Sequence, residues 1–213
     1  LLELLGLALF AVAAGLLAAL VTFQPTDPYF NTATEGPVYN LLGTFGSRGA
    51  DLLLQILGAA AGVPVIVLAV WGWRLISFKD IGQLSLRILS LLLATVLMAA
   101  SLAELPMFTS WPLESPLGGI VGTLILDQLQ NLTQMIGLPA PREILLFGVV
   151  PLALLTLFVA LGLAFSEWRS LAIGLARLTG SLFHSGRAIA AWLVQLISSR
   201  RAEDALIDLG PSA

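Results

Sequence analysis

The 213 residues are 58% hydrophobic and only 11% charged, with a mean hydropathy of +0.96 and a formal net charge of −3. A soluble domain carries about 25% charged residues, so this chain is too poor in charge to cover its own surface in water and reads as an integral membrane protein. The absence of cysteine excludes a disulfide framework and a thiolate metal site. The chain opens at Leu1 without a methionine, and is expected to be a piece of a longer protein. Its opening run is too long for a signal-peptide core, and "VTFQP" is a poor cleavage site.

A helix needs about 20 predominantly apolar residues to cross a bilayer core. The first such run, Leu4–Phe23, is free of charge. Pro25 and Pro28 then end it and force turn or extended geometry around Asp27. Asn40 and Gly43 suit turn positions with positive φ. A second span is predicted over Leu52–Trp73, with Ser47 and Asp51 as its cap and first-turn groups at the positive end of the helix dipole. Asp51 and Gln55, one turn apart, suit either helix-end hydrogen bonds or the lining of a polar path. Gly58 and Gly62 form a GxxxG strip, the pattern that lets helices approach closely within one chain or between chains. The third span is expected over 86–105 and the fourth over 144–165, with Pro64 and Pro151 kinking the spans that hold them.

Residues 117–137 are a weaker candidate. An aspartate at the middle of a span costs roughly 2.5–3.5 kcal/mol on the insertion scale, and this segment carries Asp127 with several amides. Val121, Ile125, Leu129, Leu132 and Ile136 recur at helical spacing, which predicts an amphipathic helix lying on the membrane or on the other spans. The fold class expected is all-α: a four-helix transmembrane bundle with this outer amphipathic helix. Eight of the ten Lys and Arg fall in the loop between the second and third spans or after the fourth, so both chain ends are expected to be cytoplasmic. After the spans, 167–202 carries Trp and Leu on one helical face, with Arg169, Arg177 and Arg187 on the other. That pattern suits a helix on anionic lipid, with a partner helix or nucleic acid as other readings. Residues 203–213 turn acidic and read as the start of a linker.

"DPYFNTATEGPVYNLLGTFGSRGADLLLQILG" (27–58) resembles the amino-terminal four-span domain of the FtsK/SpoIIIE DNA translocases. The matching positions are Pro25, Asp27, Pro28, Asn40, Gly43, Gly49, Asp51 and Gly58, and the later cluster Gly118, Gly119 and Gly122 resembles the glycines this family places between its third and fourth spans. The resemblance implies a membrane-anchoring and septum-targeting domain of a bacterial cell-division protein, in the inner membrane. It would form homo-oligomers, contact other division proteins, and reach DNA only through a motor. ATP and magnesium would belong to that motor. These residues hold no GxxxxGK[ST] loop, and the one lysine, Lys79, has no glycine loop before it. No cofactor, metal or catalytic constellation is expected here. Asp27, Asn40 and their neighbours are candidates for partner docking or for structuring the loop. A small transporter or channel subunit is the alternative, as is a motor-less scaffold.

Overall fold

The computed structural model describes residues 1–27, 37–108, 111–113, 115–163, 167–169 and 173. Among them there is helix and no strand. The chain forms α1 (Leu2–Val21), α2 (Gly43–Leu57), a 3-10 turn over Gly58–Ala61, α3 (Gly62–Ile76), α4 (Leu84–Leu102), α5 (Gly119–Met135) and α6 (Arg142–Leu161). Among the described residues, four helical stretches are long and apolar enough to cross a membrane: Leu2–Val21, Gly43–Ile76, Leu84–Leu102 and Arg142–Leu161. Leucine, alanine and valine dominate them, and Ser47, Asp51, Ser90, Thr95, Ser101 and Thr156 among their polar groups are buried. Thr95, Ser101 and Thr156 each donate a hydroxyl to the carbonyl four residues earlier, at 2.8 Å, so these three hydroxyls are satisfied within their own helices.

α1 packs chiefly on α3, and α4 chiefly on α6. The α1–α3 crossing is set by Gly6 and Gly72: a Cβ on either would come within 2.8 Å of the other's carbonyl oxygen. Small residues at a crossing allow the backbone approach on which helix association in lipid depends. On the other side, Leu97 and Ala100 of α4 meet Val149 and Ala153 of α6 around Leu126 of α5.

The second span departs from the sequence expectation. Helix begins at Gly43 rather than Leu52, and the 34-residue stretch is interrupted at Gly58–Ala61. Gly58 has φ +61° and ψ −142°, outside the α region, so the chain leaves α2 there and restarts as α3. Ser47 and Asp51 are therefore not the cap and first turn of a span: both lie within α2, buried. Gly58 and Gly62 do not act together as a packing strip: Gly58 opens the 3-10 turn and is closely approached, whereas Gly62 opens α3 and nothing lies within 4 Å of a Cβ built on it. Pro64 makes no kink either, since it sits in the first turn of α3, where a missing N–H has no partner to lose.

One unit occurs twice. α1, a loop, α2 and α3 have the same order as α4, a loop, α5 and α6. Both inner helices open on a glycine in the left-handed region, Gly43 at φ +63° and Gly119 at φ +61°. The same turn precedes each: Gly43 N donates to Asn40 O and Gly119 N to Pro116 O, both at 2.8 Å. The next bond is also repeated, Gly46 N to Leu42 O at 3.3 Å and Gly122 N to Gly118 O at 3.1 Å. From there the sequences run in step through Gly46/Gly122, Ser47/Thr123, Ala50/Leu126, Asp51/Asp127 and Gln55/Asn131. Ala50 and Leu126 are both fully buried, each against the first span of its own half.

Glu167, Trp168 and Arg169 are helical. Arg177, Arg187, the remainder of the 167–202 segment and the 203–213 linker lie outside the described residues.

Candidate functional site

The loop after α1 is tied by three polar side chains. Thr22 Oγ1 donates to Ala18 O at 2.6 Å and accepts from Leu41 N at 3.1 Å. Asp27 is fully buried, and its two carboxylate oxygens accept from Tyr39 N at 2.9 Å and Asn40 N at 3.0 Å. Asn40 Nδ2 donates to Ala19 O at 2.8 Å, and its Oδ1 accepts from Leu42 N at 3.1 Å. The last carbonyls of a helix have no partner within it, so Asn40 caps α1 from far along the chain while opening the turn into α2. Pro25 stands in the turn that brings Asp27 N onto Gln24 O. Gly43 takes the expected positive φ; Asn40 does not, and acts through its side chain instead. Pro28 lies outside the described residues. Gly46, not foreseen from sequence, lets the knot close: its Cβ would lie 2.3 Å from Asn40 Oδ1.

Asp51 lies on the buried face of α2, where Gln55 Nε2 donates to its Oδ1 at 2.7 Å. The bond closes over the last turn of α2, which ends at Leu57. Gly49, on the opposite side, faces open space.

The two halves meet at backbone level. Ala59 N donates to Leu117 O at 2.8 Å. A Cβ on Gly58 would lie 2.0 Å from Leu117 O, and one on Gly119 2.6 Å from Gly58 N. Gly118 and Gly122 bring α5 flush onto α4, since a Cβ on them would lie 2.0 and 2.3 Å from Ala99 O. The buried stripe of α5 is therefore Gly119, Gly122 and Leu126. Of the apolar face expected for this helix, Ile125 and Leu129 pack beside the core, whereas Leu132 and Ile136 are exposed. Arg142, at the start of α6, holds the far side of α5. It donates to Glu104 Oε1 at 2.7 Å, to Gln130 Oε1 at 3.3 Å, and to Asp127 Oδ1. At the other end of α6, Trp71 Nε1 donates to Ala160 O at 2.9 Å, and Arg87 bonds Ile81 O at 3.2 Å and Val159 O. Gly162 follows in the left-handed region.

This chemistry is that of helix termini and helix crossings. Among the described residues, no group of three or more His, Asp or Glu is placed to hold a metal ion. The arrangement can hold a bundle in one geometry and present its loops and outer helices to a partner.

The family model for the 4TM region of DNA translocase FtsK/SpoIIIE matches residues 1–169. Among curated proteins, a DNA translocase FtsK of Bradyrhizobium diazoefficiens is 42% identical over 120 residues, which is 56% of this chain and 14% of that protein. One from Azospirillum brasilense is 37% identical over 183 residues, 83% of this chain and 28% of that protein. One from Caulobacter vibrioides is 33% identical over 150 residues, covering 68% and 18% respectively. The chain thus spans between 14% and 28% of the length of these relatives. No solved structure matches.

Proposed function

Since this chain belongs to the FtsK/SpoIIIE family and is its four-span membrane region, we propose that it anchors a cell-division DNA translocase in the bacterial inner membrane and brings it to the division septum. The observation that carries this reading is the family match over residues 1–169 on a chain with four candidate spans. The motor, with its ATP, magnesium and double-stranded DNA, belongs to the rest of the protein, and this part performs no catalysis of its own. Its contribution is position and local concentration: tethering chains in one membrane patch raises the effective concentration at which motors assemble. Homo-oligomers and other division proteins are the partners, alongside the bilayer. The tied loop around Asp27 and Asn40 is the docking candidate outside the membrane.

Both ends are cytoplasmic in this reading, supported by the basic residues flanking the second and third spans. Single cysteines test it on a chain that has none. A membrane-impermeant maleimide should label Leu138→Cys in intact spheroplasts, and Gln83→Cys only after permeabilisation. Septum targeting is tested by fusing the 213 residues to a fluorescent protein in dividing cells. A mid-cell band is expected; an even peripheral ring at normal expression would refute the targeting role.

A further inference from the structure

The two copies of the repeated unit meet end to start. The close of the first, Gly58–Ala61, seats on the opening of the second: Ala59 N donates to Leu117 O, and a Cβ on Gly119 would lie 2.6 Å from Ile56 O. In the register of the repeat, Leu41 stands for Leu117 and Gly43 for Gly119, while Gln134, Met135 and Ile136 stand for Gly58, Ala59 and Ala60. These second positions have no such cover. Leu117 is 2% exposed and Leu41 75%; Ala60 is 1% exposed and Ile136 69%. A Cβ on Gly43 would meet nothing within 4 Å, in contrast to the backbone that crowds Gly119. Among the described residues, no backbone donor reaches Leu41 O.

One chain thus contains this joint once complete, and both of its faces once more uncovered: the turn before α2 and the end of α5. Inside the chain the joint is made by the repeat itself, so the partner that fits each uncovered face is a second copy. Hydrocarbon could cover Leu41, Met135 and Ile136, but it cannot satisfy the Leu41 carbonyl. The exposed Gln134 carries an amide donor at the position of Gly58, next to the residue whose N–H serves Leu117 O. The first and third spans cross the membrane in the same direction, so the step from one half to the next keeps to the membrane plane and can be repeated. Head-to-tail contacts of this kind extend or close into rings.

We propose that copies of this chain associate head to tail, with Gln134, Met135 and Ile136 at the end of α5 on one copy against Leu41 and Gly43 on the next. This rests on the homo-oligomer reading above and gives it a surface. On a chain without cysteine, Leu41→Cys and Met135→Cys are placed on separate, differently tagged copies expressed in one membrane. Oxidation with copper phenanthroline should join the two tags, and neither variant should join to itself. A chain carrying both cysteines should give a ladder of multimers or a closed ring. Leu41→Lys, at an exposed position, should weaken self-association of the purified chain about tenfold in native mass spectrometry, the equivalent of 1.4 kcal/mol, with an unchanged thermal midpoint. Leu41→Cys copies that join to each other as readily as to Met135→Cys would overturn the proposal, since the face would then be two-fold. Oligomers that persist without the cross-link would overturn this surface alone. A monomeric parent would overturn the homo-oligomer reading with it.

Discussion

Asp27 is where a single atom change should matter most. Its carboxylate is fully buried and accepts two backbone N–H groups, from Tyr39 and Asn40. Asp27→Ala leaves both without an acceptor. The Asn40 N–H is in a buried position, where an unsatisfied donor costs about 1–3 kcal/mol; Tyr39 is exposed enough for water to reach its N–H, so the loss there is about 1 kcal/mol. The sum, roughly 2–4 kcal/mol, is a large part of a stability of the usual 5–15 kcal/mol. Asp27→Asn should lose about half as much, since the amide keeps one accepting oxygen but turns an NH2 toward the second donor. Chemical unfolding in detergent, followed by tryptophan fluorescence, reads this directly, because Trp111 packs on the Ala19, Phe23, Ala50 and Leu54 cluster beside the knot. Asn40→Ala gives the second edge of a double-mutant cycle. Residues sharing one network should couple by at least about 0.5 kcal/mol. If Asp27→Ala stays within about 0.5 kcal/mol of the parent, or the two changes simply add, the knot does not hold the loop.

The crossing of the two halves predicts a contrast between two glycines. Gly58→Ala places a Cβ against the Leu117 carbonyl at positive φ, and should cost about 3 kcal/mol or abolish folding. Gly62→Ala meets open space in helical geometry, and should be neutral or stabilising by up to about 1 kcal/mol; equal thermal shifts would contradict the break. Arg142→Gln should cost only about 1 kcal/mol, because the side chains of its ion pairs with Glu104 and Asp127 are 31–45% exposed, and part of that cost should vanish in 1 M salt. Trp71→Phe removes one bond to Ala160 O, and should cost about 1 kcal/mol, with faster hydrogen exchange confined to the end of α6.

The four spans could be read from sequence because the bilayer demands long apolar runs poor in charge, and these four are the clearest in the chain. α2 could not be read in full. "GTFGSRGAD" has three glycines and an arginine and little intrinsic helicity; it is helical because Ser47 and Ala50 are buried, and burial is long-range information. Gly58 and Gly62 have the spacing of a packing strip, and only the dihedral at Gly58 reveals a break. α5 was legible as a helix, but its inward side was not. Ile120, Val121, Leu124, Ile125 and Leu126 make its first half apolar all round, so periodicity gave no reason to choose Leu126. Asp27 and Asn40 announce themselves as turn chemistry, whereas the Ala19 carbonyl that Asn40 caps has no sequence signature. The duplication was present in the letters all along, as glycine, glycine, hydroxyl, aspartate and amide at matched intervals, and weak enough to need the paired turns to make it plain.

The bonds from Trp71 and Arg87 to the last carbonyls of α6 have a mechanical consequence. Tension applied to the chain beyond Gly162 would act first on the final turn of α6, the part of a helix that frays most easily. That turn is fastened sideways, through an indole on α3 and a guanidinium on α4, so a pull along α6 is shared among three helices instead of unwinding one. The lipid-embedded bundle would then yield as a block, by being dragged or tilted, before α6 unwound turn by turn at its exit.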